Sequence, residues 1–381
     1  MTTRKIASHY LFTGHRLIRN CVVEVAADGS IVSVEQCDRI DSMAGVEFYS
    51  GILCPGWVNA HCHLELSYMH GAIAEGTGFA GFAREIGRLR GGYSRQQRLD
   101  AAGAADARMW AEGVEAVGDI SNDESTTAVK MASKIRYHTF FEAFGLNTAA
   151  ERIDELAAMA DASQPASLTP HSTYSLQDGV FQRLAADGCS PLSIHFMESP
   201  DEAALYFGRG SLAEWYSRMG WECDFLHYGS PAERIAECVP SNRSVLLVHD
   251  CCVGRLDAEI LLSHFSAPLY WVLCPESNRY ISHMRPPVEM LRQAGGTICI
   301  GTDSLASATT LSMVEQMKQL QEAVPLEELL RWATWNGACA LEMQHEIGSI
   351  EAGKRPGVVV LESVDLNTMT LTPASSSRRL V

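Results

Sequence analysis

The chain has 381 residues, 46% apolar and 20% charged, with a net charge of -16. This is a globular composition with room for more than one average domain, and its acidity excludes nucleic acid and anionic membrane as main partners, since both need a basic footprint. No apolar run approaches the ~18 residues of a membrane span, Met1–Tyr10 lacks a signal peptide's apolar stretch, and the 12 cysteines show no framework spacing, so they read as reduced thiols of a cytoplasmic protein.

Residues 1 to about 50 read as short strands. Val22-Val23-Glu24-Val25 turns through Asp28-Gly29-Ser30 into Ile31-Val32-Ser33-Val34. From residue 52, apolar runs alternate with longer amphipathic segments, the rhythm of a parallel sheet with helical crossovers. Gly51-Ile52-Leu53-Cys54 opens the first run, which ends at His61-Cys62-His63. Glu115–Ile120, Arg136–Glu142 and Ala166–Thr169 follow, the last closing on Pro170-His171. Leu192–His195, Ser244–His249, Leu269–Cys274 and Thr297–Asp303 complete the series. Eight such runs predict a closed (β/α)₈ barrel, with its chemistry at the C-terminal strand ends. Helical stretches around Leu311–Ala323 and Leu326–Glu342 come next. A turn-rich return to strand at Val358–Leu361 is expected to pair with the leader in a small β-domain. That division gives residues 1–50 plus 345–381 to the β-domain and 51–344 to the catalytic barrel. The end, with Ser375-Ser376-Ser377-Arg378-Arg379, reads as frayed.

Strands one, four, five, six and eight each finish on a His or an Asp. His61 and His63 share one strand face, and Cys62 takes the other as a packed thiol. With His195 and Asp303 they are the candidate ligands of one zinc-like cation, leaving a position open for water. Such an ion brings the pKa of its water toward neutrality. Glu198 follows His195 by three residues, so the chain can turn its carboxylate over the barrel mouth to carry a proton. His249 is placed to polarise the substrate or hold the attacking water, and His171 to contact the substrate. No lysine lies near strand four, and Lys130 and Lys134 precede strand three, which argues for one metal rather than two. The remaining histidines, His9, His15, His70, His138, His227, His264, His283 and His345, read as surface or packing residues, and Trp332 and Trp335 as core.

These segments resemble the amidohydrolase superfamily in its aminohydrolase branch. The resemblance is carried by Pro55-Gly56 through His61-Cys62-His63-Leu64, Pro170-His171-Ser172, His195-Phe196-Met197-Glu198-Ser199 and Leu247-Val248-His249. Cys274-Pro275-Glu276-Ser277-Asn278, Gly301-Thr302-Asp303-Ser304 and the tail Gly348–Lys354 extend it. It implies a (β/α)₈ barrel with a β-sandwich built from both termini. It also implies one zinc, occasionally iron (Fe2+), on His61, His63, His195 and Asp303. Asp303 would accept a proton from the attacking water, Glu198 would pass it to a ring nitrogen and the departing amine, and His249 would orient the reactants. The reaction implied is hydrolytic deamination of a small molecule with release of ammonia. Guanine or S-adenosylhomocysteine deamination, chloride displacement and ring amide hydrolysis are the alternatives. Cys274 stands where relatives often carry histidine, and Ser304 replaces a common glycine. The segments Met69–Ile86 and Arg136–Glu142 look like those of aminodeoxyfutalosine deaminases, which make a menaquinone precursor from a 6-aminopurine nucleoside. On that likeness Glu85 would meet ribose hydroxyls, Arg84 a carboxylate, and Arg136 would join the substrate contacts. A homodimer is left open.

Overall fold

The computed structural model describes residues 3–38, 40, 45–163, 165–187 and 191–381. The leader forms β1 (Thr3–Phe12), β2 (Leu17–Ile18), β3 (Cys21–Ala26), β4 (Ile31–Gln36) and β5 (Val46–Pro55). Asp28 makes the β3–β4 turn by accepting from both the Ser30 amide (3.1 Å) and its hydroxyl (2.6 Å). This sets Val23 opposite Val34, and the alternate residues Val23 and Val25 pack with Ile6 and Leu53.

The Gly51–Cys54 run does not open the first barrel strand. It completes β5, which pairs with β1, so the terminal sheet extends past the expected boundary at residue 50. Gly56 turns the chain from sheet to barrel between backbones so close that a Cβ there would lie 2.8 Å from the Pro356 carbonyl.

The barrel strands are β6 (Trp57–Cys62), β7 (Val114–Ser121), β8 (Arg136–Ala143), β9 (Ala166–Pro170), β10 (Leu192–Phe196), β11 (Val245–His249), β12 (Leu269–Leu273) and β13 (Thr297–Ile300). All eight predicted runs are thus strands. Side chains alternate between two cores: Leu246, Val248, Tyr270, Val272 and Cys299 fill one, while Leu247, Trp271 and Ile298 meet the surrounding helices in the other.

Two parallel arcs, β6–β9 and β10–β13, join at two seams. At the first, the His195 amide donates to the His171 carbonyl at 2.8 Å. At the second, the amides of Thr302 and Asp303 both donate to the His61 carbonyl, at 3.0 and 3.1 Å. Asn59 reinforces that seam through the Thr302 hydroxyl (2.7 Å). Gly301 is required there, since a Cβ would lie 2.9 Å from both Cys274 Sγ and His61 Cβ.

Helices Met313–Leu320 and Leu326–Arg331 follow, then a single π turn, Trp332–Asn336. Trp332 is core, whereas Trp335 is half-buried against His15. The chain returns as β14 (Val358–Asp365) and β15 (Thr370–Arg379), giving a seven-stranded sheet in the order β15-β14-β5-β1-β3-β4, with β2 beside β1.

The expectation of a frayed end is overturned. β15 pairs antiparallel with β14, the Trp57 indole donates to Ser377 Oγ (2.9 Å), and Arg379 bonds Glu115 (2.8 Å) beneath the barrel. Polar composition hid this, because Trp57 and Glu115, which tie Ser377 and Arg379 to the barrel, lie more than 250 positions away. No helix among the described residues is long and apolar enough to cross a membrane.

Burial pushes the Glu115 carboxyl up and the Arg379 guanidinium down, so neither tolerates loss of the other. Arg379→Met is expected to destabilise the fold by about 3 kcal/mol in denaturant titrations, with Glu115→Gln in the same chain recovering part of the loss.

Candidate metal centre and active site

His61 and His63 reach a common point because the β6–β7 register shifts between Asn59 and Cys62. The inward series Val58, Ala60 there gives way to the two imidazoles, while Cys62 stays in the outer core as expected. His63 Nε2 lies 3.2 Å from His61 Nε2 and 3.1 Å from His195 Nε2. His63 Nε2 faces two imidazole nitrogens at once and has only one lone pair or one proton to offer, so it cannot satisfy both contacts. A cation among them removes the conflict. Ligand nitrogens around a tetrahedral zinc, each at about 2.0–2.1 Å, stand about 3.3 Å apart, so the spacing fits.

Asp303 supplies the fourth group. Its Oδ2 accepts from the Ser277 and Ser307 hydroxyls (2.6 and 2.7 Å), which turns Oδ1 to 3.5 Å from His63 Nε2. Burial would raise its pKa, but His63, His249 and the two hydroxyls hold it below the usual range, so the group stays ionised.

The imidazoles are held from behind. His195 Nδ1 donates to the His171 carbonyl (3.0 Å) and lies 3.3 Å from Glu142 Oε1. Burial alone would lower the His195 pKa. Glu142 more than offsets it and brings the ring to about 9, whereas burial holds His61 and His63 low. A carboxylate behind a ligating ring fixes its tautomer and strengthens it as a donor. Glu142, His171 and His195 also form a close-set group, but it shares the His195 ring with the first and belongs to the same centre. Lys130 bonds Asp119, Ser121 and Thr139 instead of reaching the centre.

Glu198 follows Met197, whose left-handed φ of 46° swings the chain over the rim. Its Oε2 is 3.9 Å from His249 Nε2, and its Oε1 accepts from the Tyr174 phenol (2.5 Å). His249 also has left-handed backbone, φ 82°, and its Nδ1 bonds Asn278 Oδ1 at 2.7 Å, which leaves Nε2 facing Glu198. His171 stacks on His195 with centroids 4.5 Å apart.

These groups floor a cavity of about 460 Å³. Phe79, Phe82, Phe144, Trp215 and Trp221 wall its outer half, with Arg90 beside them. The Arg90 guanidinium bonds Asn122 Oδ1 (3.1 Å) and lies over the Phe144 ring (5.2 Å).

Three expected substrate contacts are corrected. Helix Gly78–Leu89 turns Phe79, Phe82, Ala83 and Ile86 to the cavity, so Arg84 and Glu85 fall on another face. Arg84 is exposed, and Glu85 pairs with Arg88 at 2.7 Å. Arg136 starts β8, at the opposite end of the barrel from the histidines, where it meets Glu115 (3.3 Å) and Glu346 (3.6 Å). The residues missed are Glu142, Tyr174, Asn278 and Arg90. Glu142 closes strand three as the other groups close theirs, and Arg90 extends the helical spacing of Phe79, Phe82 and Ile86. Those two signals were present in the sequence.

Three imidazole nitrogens converging on one point beside two carboxylates, at the C-terminal rim of a parallel barrel, are an arrangement suited to hydrolysis. The chain belongs to the amidohydrolase family, whose description matches residues 52–377, and it is a hydrolase acting on C–N bonds. It is similar to an adenosine deaminase of Helicobacter pylori, 28% identical over 82% of this chain and 79% of the relative. The crystal structure of Helicobacter pylori aminofutalosine deaminase with methylthio-coformycin superposes with a TM-score of 0.79 at 24% identity, covering 94% of this chain and 92% of that one. An adenosine deaminase from Xanthomonas campestris with bound zinc gives 0.77 at 22%, covering 96% and 86%.

Glu142→Gln is expected to weaken metal affinity about 10- to 100-fold, measured by competition with a chromogenic chelator, while leaving the melting temperature of the metal-free protein near wild type.

Proposed function

We propose that this enzyme hydrolytically deaminates a 6-aminopurine nucleoside of the aminodeoxyfutalosine type, releasing ammonia and serving menaquinone precursor synthesis. The observation that carries the reading is the meeting of Glu198 and His249 above the three imidazole nitrogens, at the floor of a cavity with aromatic walls. Kinship with adenosine-type and aminofutalosine deaminases supports the purine nucleoside.

His61, His63, His195 and Asp303 would hold one zinc ion, and ferrous iron would suit the same donors. When bound, the ion lowers the pKa of water and polarises the carbon under attack. Asp303, ionised through Oδ1, takes a proton from the attacking water. Glu198 delivers a proton to the ring nitrogen and then to the amine. The C–O bond forms as the ring C=N bond opens and its nitrogen takes the first proton; once the amine has taken the second, the exocyclic C–N bond breaks, giving a 6-oxopurine and ammonia. His249, oriented by Asn278, directs the water toward the ring carbon, and His171 backs the substrate from the β9 side. In the outer half, Phe79, Phe82, Phe144 and Trp215 suit an apolar or aromatic group on the ribose. Arg90 takes the anion-binding part expected of Arg84.

The test is ammonia release from a panel of adenosine, 5′-methylthioadenosine, S-adenosylhomocysteine, aminodeoxyfutalosine and guanine. Chelation is expected to abolish turnover and zinc to restore it. Glu198→Gln should lower kcat about 10²- to 10⁴-fold with metal retained. Zinc-loaded enzyme that releases no ammonia from any member overturns the reading. Arg90→Met should raise KM for a carboxylate-bearing nucleoside about 10- to 100-fold and leave that for adenosine little changed, as steady-state kinetics on the two substrates would show.

A further inference from the structure

The loop after β9 is braced more heavily than its length requires. Three of its carbonyls are taken by buried side-chain donors. The Thr173 carbonyl accepts from the Tyr206 phenol (2.8 Å) and Arg234 Nη1 (2.6 Å). The Tyr174 carbonyl accepts from the Tyr216 phenol (2.8 Å), and the Leu176 carbonyl from Arg234 Nη2 (2.9 Å). Arg234 is wholly buried between the Phe181 and Phe225 rings, 4.6 and 4.0 Å away, and pairs with Asp178 at 2.9 Å. Burying a guanidinium is costly unless it is paired and hydrogen-bonded, and here its two terminal nitrogens are divided between Asp178 and the backbone of one short loop.

What that loop carries is the Tyr174 side chain, only 4% exposed, with its phenol 2.5 Å from Glu198 Oε1. Glu198 has little else to fix it, since it sits past the end of β10 on a left-handed turn. Its second oxygen is left toward His249 and the cavity. We propose that Tyr174 is a positioning residue for Glu198, its phenol tethering Oε1 so that Oε2 alone exchanges protons with substrate and water, with Tyr206, Tyr216 and Arg234 holding the phenol in place. Burial and the neighbouring carboxylates push the phenol far above its ordinary pKa, so it remains a donor. The inference rests on Glu198 being the proton carrier.

The test is a double-mutant cycle on the panel nucleoside with the highest kcat/KM, with bound zinc and melting temperature followed in parallel. Tyr174→Phe is expected to lower kcat about 10- to 100-fold with KM and zinc content little changed, the worth of a hydrogen bond to a charged group. In the Glu198→Gln background the same change should alter kcat by less than about threefold, because the residues act as one unit. Tyr206→Phe, which also removes a phenol from this loop but does not touch Glu198, should lower the melting temperature and cost kcat several-fold less than Tyr174→Phe does. The pair Tyr174→Gln and Tyr174→Leu repeats the contrast with and without a donor, and the Gln variant should be the more active should the Phe variant fail to fold. Wild-type kcat in Tyr174→Phe, an undiminished effect in the Glu198→Gln background, or equal damage from Tyr206→Phe overturns the proposal while leaving the deaminase reading intact. A fully active Glu198→Gln overturns the proposal together with the role given to Glu198.

Discussion

Three imidazole nitrogens that cannot all be satisfied by one another are the constraint on which the structure turns. His61 and His195 bring their Nε2 atoms to 3.2 and 3.1 Å from that of His63, in a buried place where burial disfavours the cationic forms. Imidazole nitrogens crowded onto one point are costly without an ion and favourable with one. Much of the surrounding architecture keeps them there. The β6 register shift turns two rings inward, Glu142 holds the third from behind, and Ser277 and Ser307 aim Asp303 at the same point.

A chemical division of labour follows from geometry alone. The floor of the cavity is made of groups with fixed hydrogen-bond partners, so their orientations are set before any substrate arrives. The outer half is made of aromatic faces and a single half-buried guanidinium, which can accept variation in shape more easily than variation in charge. Reaction type is therefore written in the strand ends and substrate range in the loops, the usual arrangement of barrels.

The sequence was most informative where chemistry and strand period coincide. Eight apolar runs, five of them ending on histidine or aspartate, were enough to anticipate the barrel and to name the four residues that meet at its rim. It was least informative where the deciding partner is distant. Ser377 and Arg379 look like a solvated tail until Trp57 and Glu115 are placed beneath them. Gly51–Cys54 is apolar enough for either sheet, and only its pairing with β1 and β14 decides. Arg84 and Glu85 were drawn from a likeness to relatives, whereas the helical period of their own segment points to Arg90. Tyr174 could not be found from spacing, because its importance lies in a carboxylate 24 positions away.

The seams of the barrel are fastened by the backbones of the residues whose side chains form the centre. The His61 carbonyl receives Thr302 and Asp303, and the His171 carbonyl receives His195. Scaffold and reactive centre are thus a single cooperative object. A fluctuation that parts either seam pulls on the same residues that supply the donors, so opening the cylinder and loosening the centre are one motion.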